Sequence, residues 1–538
     1  MRKPLYESLT EYCRGDAYPF HMPGHKRRMG GMADPFLIDI TEIDGFDNLH
    51  HPEGILKDAQ KRAAALYGAQ AAFYLVGGST AGVLAGISAA LHTGQTGISA
   101  AQRTGQTGFP SGKTVHEQTG SDNARPVILF ARNAHKSAYH ALYLNRARPV
   151  WLYPEEPEDG QLKEAGINGR ISPEQVKAAL AAEPDAAAVF ITSPTYDGVV
   201  SDVEQIAAVA HERGIPLIVD QAHGAHFGIH PALPESATRL GADIVITSLH
   251  KTLPSLTQTG LLLLGGDLIS PEMIRRFLNI YQTSSPSYVL MASIDRCVQM
   301  MRTQGEEIFD RVLAETERFR RHTGAFRNIK LLPTDDPTRI LISAAPRLSG
   351  REICAILRER FHIEAEMDLP GYVLCLVGAG DTKEGFDRLL AALARIDIAL
   401  EDGKPISESI LNTEPEKGSE AKNGEALNER EPETGTETGK EAVSLQIQLA
   451  AAYKQAPEQI CPIHEAWDAV CERVPIRASA GRVSGDFAYL YPPGMPLIVP
   501  GERITAETAA LFWQARQAGF SLTGMEDLQG EFIRVLAE

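Results

Sequence analysis

At 538 residues the chain is too long for one hydrophobic core, and its length predicts about three or four domains. A net charge of −17 and a pI near 5.5 exclude nucleic acid as a main partner, because phosphate binding requires a basic face, and favour cationic small molecules only weakly. Much of that excess is local, with twelve acids against five bases between Glu401 and Glu441. The six scattered cysteines (13, 297, 354, 375, 461 and 471) form no Cys-x-x-Cys pair and have no histidine at zinc-ligand spacing, so no metal is expected. They read mostly as small core hydrophobes in a reducing cytoplasm. No apolar run approaches a membrane span and the N-terminus has no apolar leader, so a soluble, non-exported protein with no membrane partner is expected.

Residues 1–45 read as an arm, with a short amphipathic helix (Leu5 to Tyr12) followed by Tyr18-Pro-Phe-His-Met-Pro-Gly-His25-Lys26. Two prolines and a glycine predict an irregular loop that displays its imidazoles and lysine, either functional or a plain polar turn. Apolar residues at helical spacing from Ile55 to Tyr67 stop at Gly68, and Ala71 to Val76 is a short strand. Gly77-Gly78-Ser79-Thr80 then opens another helix. Glycines admit an anion, free amides and the positive helix end favour phosphate, and Ser79 and Thr80 add hydroxyls; the same serine would also serve as an ordinary N-cap. Residues 93–125, with Thr-Gly-Gln-Thr-Gly twice, have no apolar period and read as a mobile insertion without chemistry.

Val127 onward is a strand ending in Arg132-Asn-Ala-His135-Lys-Ser137, where His135 would either stack on a ring or cap the helix through Tyr143. Helices over Pro173 to Ala182, Val203 to Arg213 and Pro234 to Leu240 alternate with strands at Ala187 to Thr192, Pro216 to Asp220 and Asp243 to Thr247. Such alternation predicts right-handed crossovers and a mostly parallel sheet. Two of these strands carry the chemistry. One ends in Asp220-Gln-Ala-His223, the other in Ser248-Leu-His250-Lys251, about thirty residues later. A lysine delivered to the end of a buried strand has a depressed pKa and suits a Schiff base. An acid facing a pyridine nitrogen completes the demand of pyridoxal phosphate (PLP), with Lys251 as its holder and Asp220 as the acid. The competing reading is a capping aspartate and a surface lysine.

Residues 46–290 would form this major domain, and 291–400 a smaller α/β domain, with a long helix to about 322, strands at Arg339 to Ser343 and Tyr372 to Val377, and a helix Gly350 to Phe361 between them. Residues 401–443, acidic and without aromatics, read as a solvated linker, and 444–538 as a last, C-terminal domain. We expect that domain, which carries Tyr491 and Glu502, to help close the site over a cationic substrate.

Phe20-His-Met-Pro-Gly-His-Lys26, Leu49-His-His-Pro-Glu-Gly54, Arg132-Asn-Ala-His-Lys-Ser137, Asp220-Gln-Ala-His-Gly-Ala-His226, Ser248-Leu-His-Lys-Thr252 and the Pro-Pro-Gly-Met-Pro run from Tyr491 together resemble the short bacterial branch of the Orn/Lys/Arg decarboxylase family. The resemblance spans the chain apart from the 93–125 insertion and the acidic linker. It implies a fold-type I, aspartate aminotransferase-like PLP enzyme. Lys251 would hold the cofactor, Asp220 face its ring nitrogen, His135 stack on one face and Ala222 pack on the other. Gly78, Ser79, Thr80, Ser248 and His250 would surround the phosphate. His223 would contact the substrate carboxylate or relay a proton. The implied reaction is decarboxylation of arginine, lysine or ornithine, arginine slightly preferred, to agmatine or a diamine for polyamine metabolism. The resemblance also implies a homodimer or larger homo-oligomer in which Thr283-Ser-Ser285 and the arm reach the neighbour's cofactor. A PLP-dependent aminotransferase and a non-catalytic PLP-binding regulator are the rival readings.

Overall fold

The computed structural model describes residues 4–29, 32, 34–93, 125–401, 439–455, 457–490 and 494–537. Nearly all of the 93–125 insertion, most of the acidic linker and Tyr491 lie outside them.

A seven-stranded sheet organises the major domain: β1 (Ala71–Leu75), β2 (Val127–Ala131), β3 (Arg148–Leu152), β4 (Ala186–Thr192), β5 (Leu217–Asp220), β6 (Ile244–Thr247) and β7 (Gly260–Leu264), in the spatial order 1-7-6-5-4-2-3. Only β7 runs antiparallel, against β1 and β6. Helices cover both faces, which is why β5 and β6 are near-continuous apolar runs instead of alternating ones. Ile218 of β5 joins one core layer and Leu217 and Val219 the other. The helix Gly78–Thr93 lies flat on the sheet because Gly82 and Gly86 leave no Cβ where Leu75, Ile244 and Ile246 pack. As β1, β2, β4, β5 and β6 share one direction, their carboxyl ends meet at one edge, where open α/β sheets bind ligands.

The smaller α/β unit is a four-stranded antiparallel sheet (Met367–Asp368, Val373–Leu376, Arg339–Ser343, Lys330–Leu332, in spatial order) with the helices Gly350–Phe361 and Lys383–Glu401. The helix Tyr288–Thr323 leads into it. The C-terminal region has a helix Gly439–Ala452, a three-stranded sheet centred on Ala488–Leu490, and the pair Cys471–Pro475 with Phe532–Leu536. None of the described helices is long and apolar enough to cross a membrane.

Several expectations need correction. Pro234 to Leu240 forms no helix but a single turn over 237–241, in which Arg239 N and Leu240 N donate to Ser236 O and Gly241 N to Thr238 O, and Gly241, at φ +93°, ends it. Tyr18–Phe20 is a strand despite Pro19, because it adds to Ile363–Ala365 as one of only two strands, where the missing N–H is tolerated. The helix beginning at Gly439 starts inside the stretch read as linker. Of the six cysteines, only Cys297, Cys354 and Cys375 are buried.

Glu502 lies fully buried against Arg132, at 2.9 Å. Arg132 also donates to Leu497 O at 3.2 Å and lies over the Trp151 ring at 4.7 Å, while Glu502 accepts from Val499 N. Since Arg132 directly follows β2, the pair fastens the C-terminal region to the strand end that leads to His135. Removing one partner of such a buried pair leaves an uncompensated charge, at a cost of about 3–5 kcal/mol. Glu502→Ala should therefore lower the unfolding free energy in urea by about that much, and Arg132→Met/Glu502→Leu should recover most of it; a single-variant loss below about 1 kcal/mol would show that the pair is not a fastening.

Candidate active site

A cavity of about 550 Å³ lies at the carboxyl edge of the sheet, and Gly78, Ser79, Thr80, His135, Asp220, Ala222, His223, Ser248, His250 and Lys251 all line it. The two strands flanking the centre deliver the main pair. β5 ends on Asp220, and β6 ends one residue before Ser248, the N-cap of a single helical turn, Leu249–Thr252, that carries Lys251.

Lys251 Nζ lies 2.6 Å from His223 Nε2. Burial lowers the lysine's pKa to about 8, with the Asp220 carboxylate opposing the shift. Burial raises Asp220, against the pull of Lys251 and of the Ala222 N–H at 3.1 Å. His223 is driven well below its usual value by burial and the nearby cations, so the imidazole is neutral. With Lys251 donating, His223 Nε2 accepts and its proton sits on Nδ1, which is buried without a partner. Burial also takes His135 to about 3 and His250 to about 4. His135 is the N-cap of helix Lys136–Leu144, its Nδ1 accepting from Ser137 N, so the capping role is realised while the ring still faces the cavity. His250 Nδ1 bonds Thr259 O at 3.0 Å, leaving Nε2 available.

The residues present fit a pyridoxal phosphate. Ser248 Oγ is buried with no hydrogen-bond partner, beside the start of a helical turn, as an unmet donor for phosphate. Gly78, at φ +73°, opens the helix Gly78–Thr93, whose Ser79 and Thr80 also line the cavity. The Asp220 carboxylate accepts one backbone bond and has no cation at ion-pair distance among the described residues, which leaves an acceptor for a ring N–H.

Other chain segments complete the cavity in ways the sequence did not announce. Asn133 lies inside the quoted Arg132-to-Ser137 run, and Tyr196 and Asp197 follow Ser193-Pro, so motif position gave some signal for these. Tyr372 from the smaller unit, Gln446 and Leu449 from the helix Gly439–Ala452, and Tyr453 just after it had none. Gln446 Nε2 donates to Gly166 O at 3.1 Å and seats that helix against the major domain. The side-chain oxygens of Asn133, Asn168 and Gln446 are buried without partners.

The smaller unit also grips the two residues around the lysine. Arg339 donates to His223 O at 2.6 Å and to Thr338 Oγ1 at 2.7 Å, and lies 3.3 Å from Asp336. Asp336 holds His226 at 3.0 Å, and His226 Nδ1 reaches Thr252 Oγ1 at 3.1 Å. Burial would raise Asp336, but His226 and Arg339 outweigh it and hold its carboxyl below the usual range. From the arm, Gly24 N donates to His250 O at 2.8 Å, so close that a Cβ on Gly24 would sit 2.3 Å from the Thr252 carbonyl carbon. Lys26 is not displayed, as expected from sequence, but buried: its Nζ donates to the carbonyls of His21 and Leu376 and lies 3.6 Å from Asp381.

Comparison with known proteins agrees with this geometry. Residues 3–100 and 111–351 match the Orn/Lys/Arg decarboxylase major domain, and residues 446–530 match the Orn/Lys/Arg decarboxylase C-terminal domain. The chain is 30% identical over 556 residues to the arginine decarboxylase of Bacillus subtilis, covering 99% of this chain and 98% of that one. It is 25% identical over 585 residues to the constitutive lysine decarboxylase of Escherichia coli, covering 94% of this chain and 76% of the other. Its fold superposes on lysine decarboxylase A from Pseudomonas aeruginosa with a TM-score of 0.70 at 20% identity, over 99% of this chain and 80% of that one. The edge-of-sheet cavity, its lysine and acid, and the two matched domains together place this chain in the Orn/Lys/Arg decarboxylase family.

Proposed function

We propose that the protein is a PLP-dependent decarboxylase of arginine, releasing CO₂ and agmatine, and that it works as a homodimer or larger assembly in the cytoplasm. The observation that carries the reading is the buried Lys251 amine, in contact with a neutral His223 and sharing its cavity with the Asp220 carboxylate. Lys251, Asp220, His135 and Ala222 would hold the ring, and Gly78, Ser79, Thr80, Ser248 and His250 the phosphate. When bound, the cofactor supplies an electron sink for the pair released as the Cα–carboxylate bond breaks.

The chain's own groups do the rest. A lysine with a pKa near 8 has a substantial neutral fraction at physiological pH, as a nucleophilic amine requires. His223 Nε2 accepts a hydrogen bond from Lys251 Nζ and holds the amine in place, and its Nδ1–H is free to meet the substrate carboxylate. Met22, Met367, Leu449, Met495 and Phe520 exclude water from the cavity, which favours loss of a carboxylate's charge.

Two observations favour arginine over lysine and ornithine. Two relatives covered over 97% and 98% of their length are named arginine decarboxylases, whereas the matched Escherichia coli lysine decarboxylase extends beyond the region shared with this chain. The unmet amide oxygens of Asn133, Asn168 and Gln446 suit a guanidinium, with five N–H donors, better than an ammonium with three. Assembly is supported by the arm, where Tyr6, Phe36 and Leu37 are 80%, 91% and 78% exposed, more apolar surface than a monomer ordinarily leaves in water. His50 Nε2, a few residues after the arm, bonds Thr283 O and holds that segment beside the Thr283–Ser285 loop.

Measuring CO₂ release from arginine, lysine and ornithine with PLP supplied tests the reading; a keto acid in place of CO₂ would favour an aminotransferase. Lys251→Ala should abolish release and the visible absorbance of bound PLP, and Asp220→Ala should keep some cofactor while losing at least about 100-fold in kcat, since a poorly protonated ring nitrogen weakens the sink by several kcal/mol. Near-normal turnover in either variant would remove that residue from the mechanism. PLP capture by the apoprotein should also depend on pH. Because burial depresses the Lys251 ammonium to about 8, the capture rate should rise with pH and level off above about pH 8, well below the ~10.4 of an ordinary lysine; a rate still climbing steeply at pH 10 would contradict a perturbed lysine.

A further inference from the structure

Two carboxylates line the cavity among the described residues, Asp220 and Asp197. Asp220 is coupled to Lys251 and belongs to the reacting end. Asp197 lies five residues beyond the end of β4. Burial raises its pKa, opposed by the Tyr372 hydroxyl and by Arg339. Tyr372, itself buried, donates to Asp197 Oδ1 at 2.6 Å from the smaller unit and fixes the carboxylate. Arg339 does not neutralise it, because its terminal nitrogens bond Thr338, the His223 carbonyl and Asp336. No lysine, arginine or histidine nitrogen lies within 4.0 Å of Asp197 among the described residues. A half-buried carboxylate on a cavity wall, oriented but without its own cation, is costly to maintain unless a ligand brings the charge.

We propose that Asp197, oriented by Tyr372, is the counter-ion for the distal cationic group of the substrate and so a specificity-determining residue. The inference rests on the reading of this cavity as the site of a basic amino acid. With Tyr372 occupying one lone pair of Oδ1, the remaining acceptor positions of Oδ1 and Oδ2 match two parallel N–H bonds of a guanidinium, whereas an ammonium meets them as a point charge. Leu449, Ala450 and Met495 provide the apolar wall that the substrate's methylenes need.

The test is calorimetric titration of the PLP-loaded wild type and Asp197→Asn with agmatine and with 4-ureidobutylamine, its uncharged isostere, together with CO₂ release from arginine and citrulline. In the variant, agmatine should bind about 30–100-fold more weakly and the ureido compound as in the wild type, since only a charge-assisted bond is lost. kcat/KM for arginine should fall by a similar factor, largely through KM, with the slow rate on citrulline and the absorbance of bound PLP unchanged. Agmatine affinity within about threefold of wild type, or equal weakening of both ligands, would overturn the assignment. Should Asp197→Asn fail to fold, Tyr372→Phe decides: a loss of about 3–10-fold for agmatine alone supports the role, and no loss overturns it. If the wild type released CO₂ from no basic amino acid, the decarboxylase reading would fail, while the binding arm would still judge Asp197.

Discussion

An amine held in a dry cavity against a neutral imidazole is the interaction on which this site depends. Lys251 is kept near its titration point by burial and restrained from losing its charge altogether by Asp220. That balance requires both groups to be delivered to one place by rigid elements. Two adjacent parallel strands do so, since β5 and β6 end side by side, and the single helical turn after β6 carries the lysine back over the sheet edge.

The strands alone do not fix the geometry. The smaller unit holds the His223 carbonyl through Arg339 and reaches Thr252, next to the lysine, through Asp336 and His226. The arm presses Gly24 against the same turn and is itself pinned by Lys26, whose partners come from residues near 376–381. Arg132 and Glu502 tie the C-terminal region to the end of β2. Each tie is buried and charged or hydrogen-bonded, so it costs desolvation but has one geometry, which is what a catalytic constellation needs.

The reach of the sequence follows from this plan. The apolar runs of β5 and β6 and the residues that end them were legible, because a buried parallel strand has a distinctive pattern and a polar group at its carboxyl end has little other reason to be there. Asp197 had only the signal of its place after Ser193-Pro, and Tyr372 had none, since their bond joins positions 175 residues apart. The burial of Lys26 and the pairing of Tyr18–Phe20 were missed for the same reason, their partners being more than 340 residues away. The partner of Glu502 was equally hidden, since the Arg132 that satisfies its charge lies in a different domain. The turn over 237–241 shows the limit of a short helical period that Gly241 cuts off.

The cavity wall draws on the chain from Met22 to Phe520, so its parts are made far apart in time. A ribosome that has completed the lysine and the acid has produced only half of the enclosure, and Leu490, Met495 and Phe520 are still to come. The pocket therefore closes around its contents only after the C-terminal region has docked, late in biogenesis. A chain that stopped before Leu490 would leave the wall around Lys251 incomplete, since Leu490, Met495 and Phe520 would be missing from it.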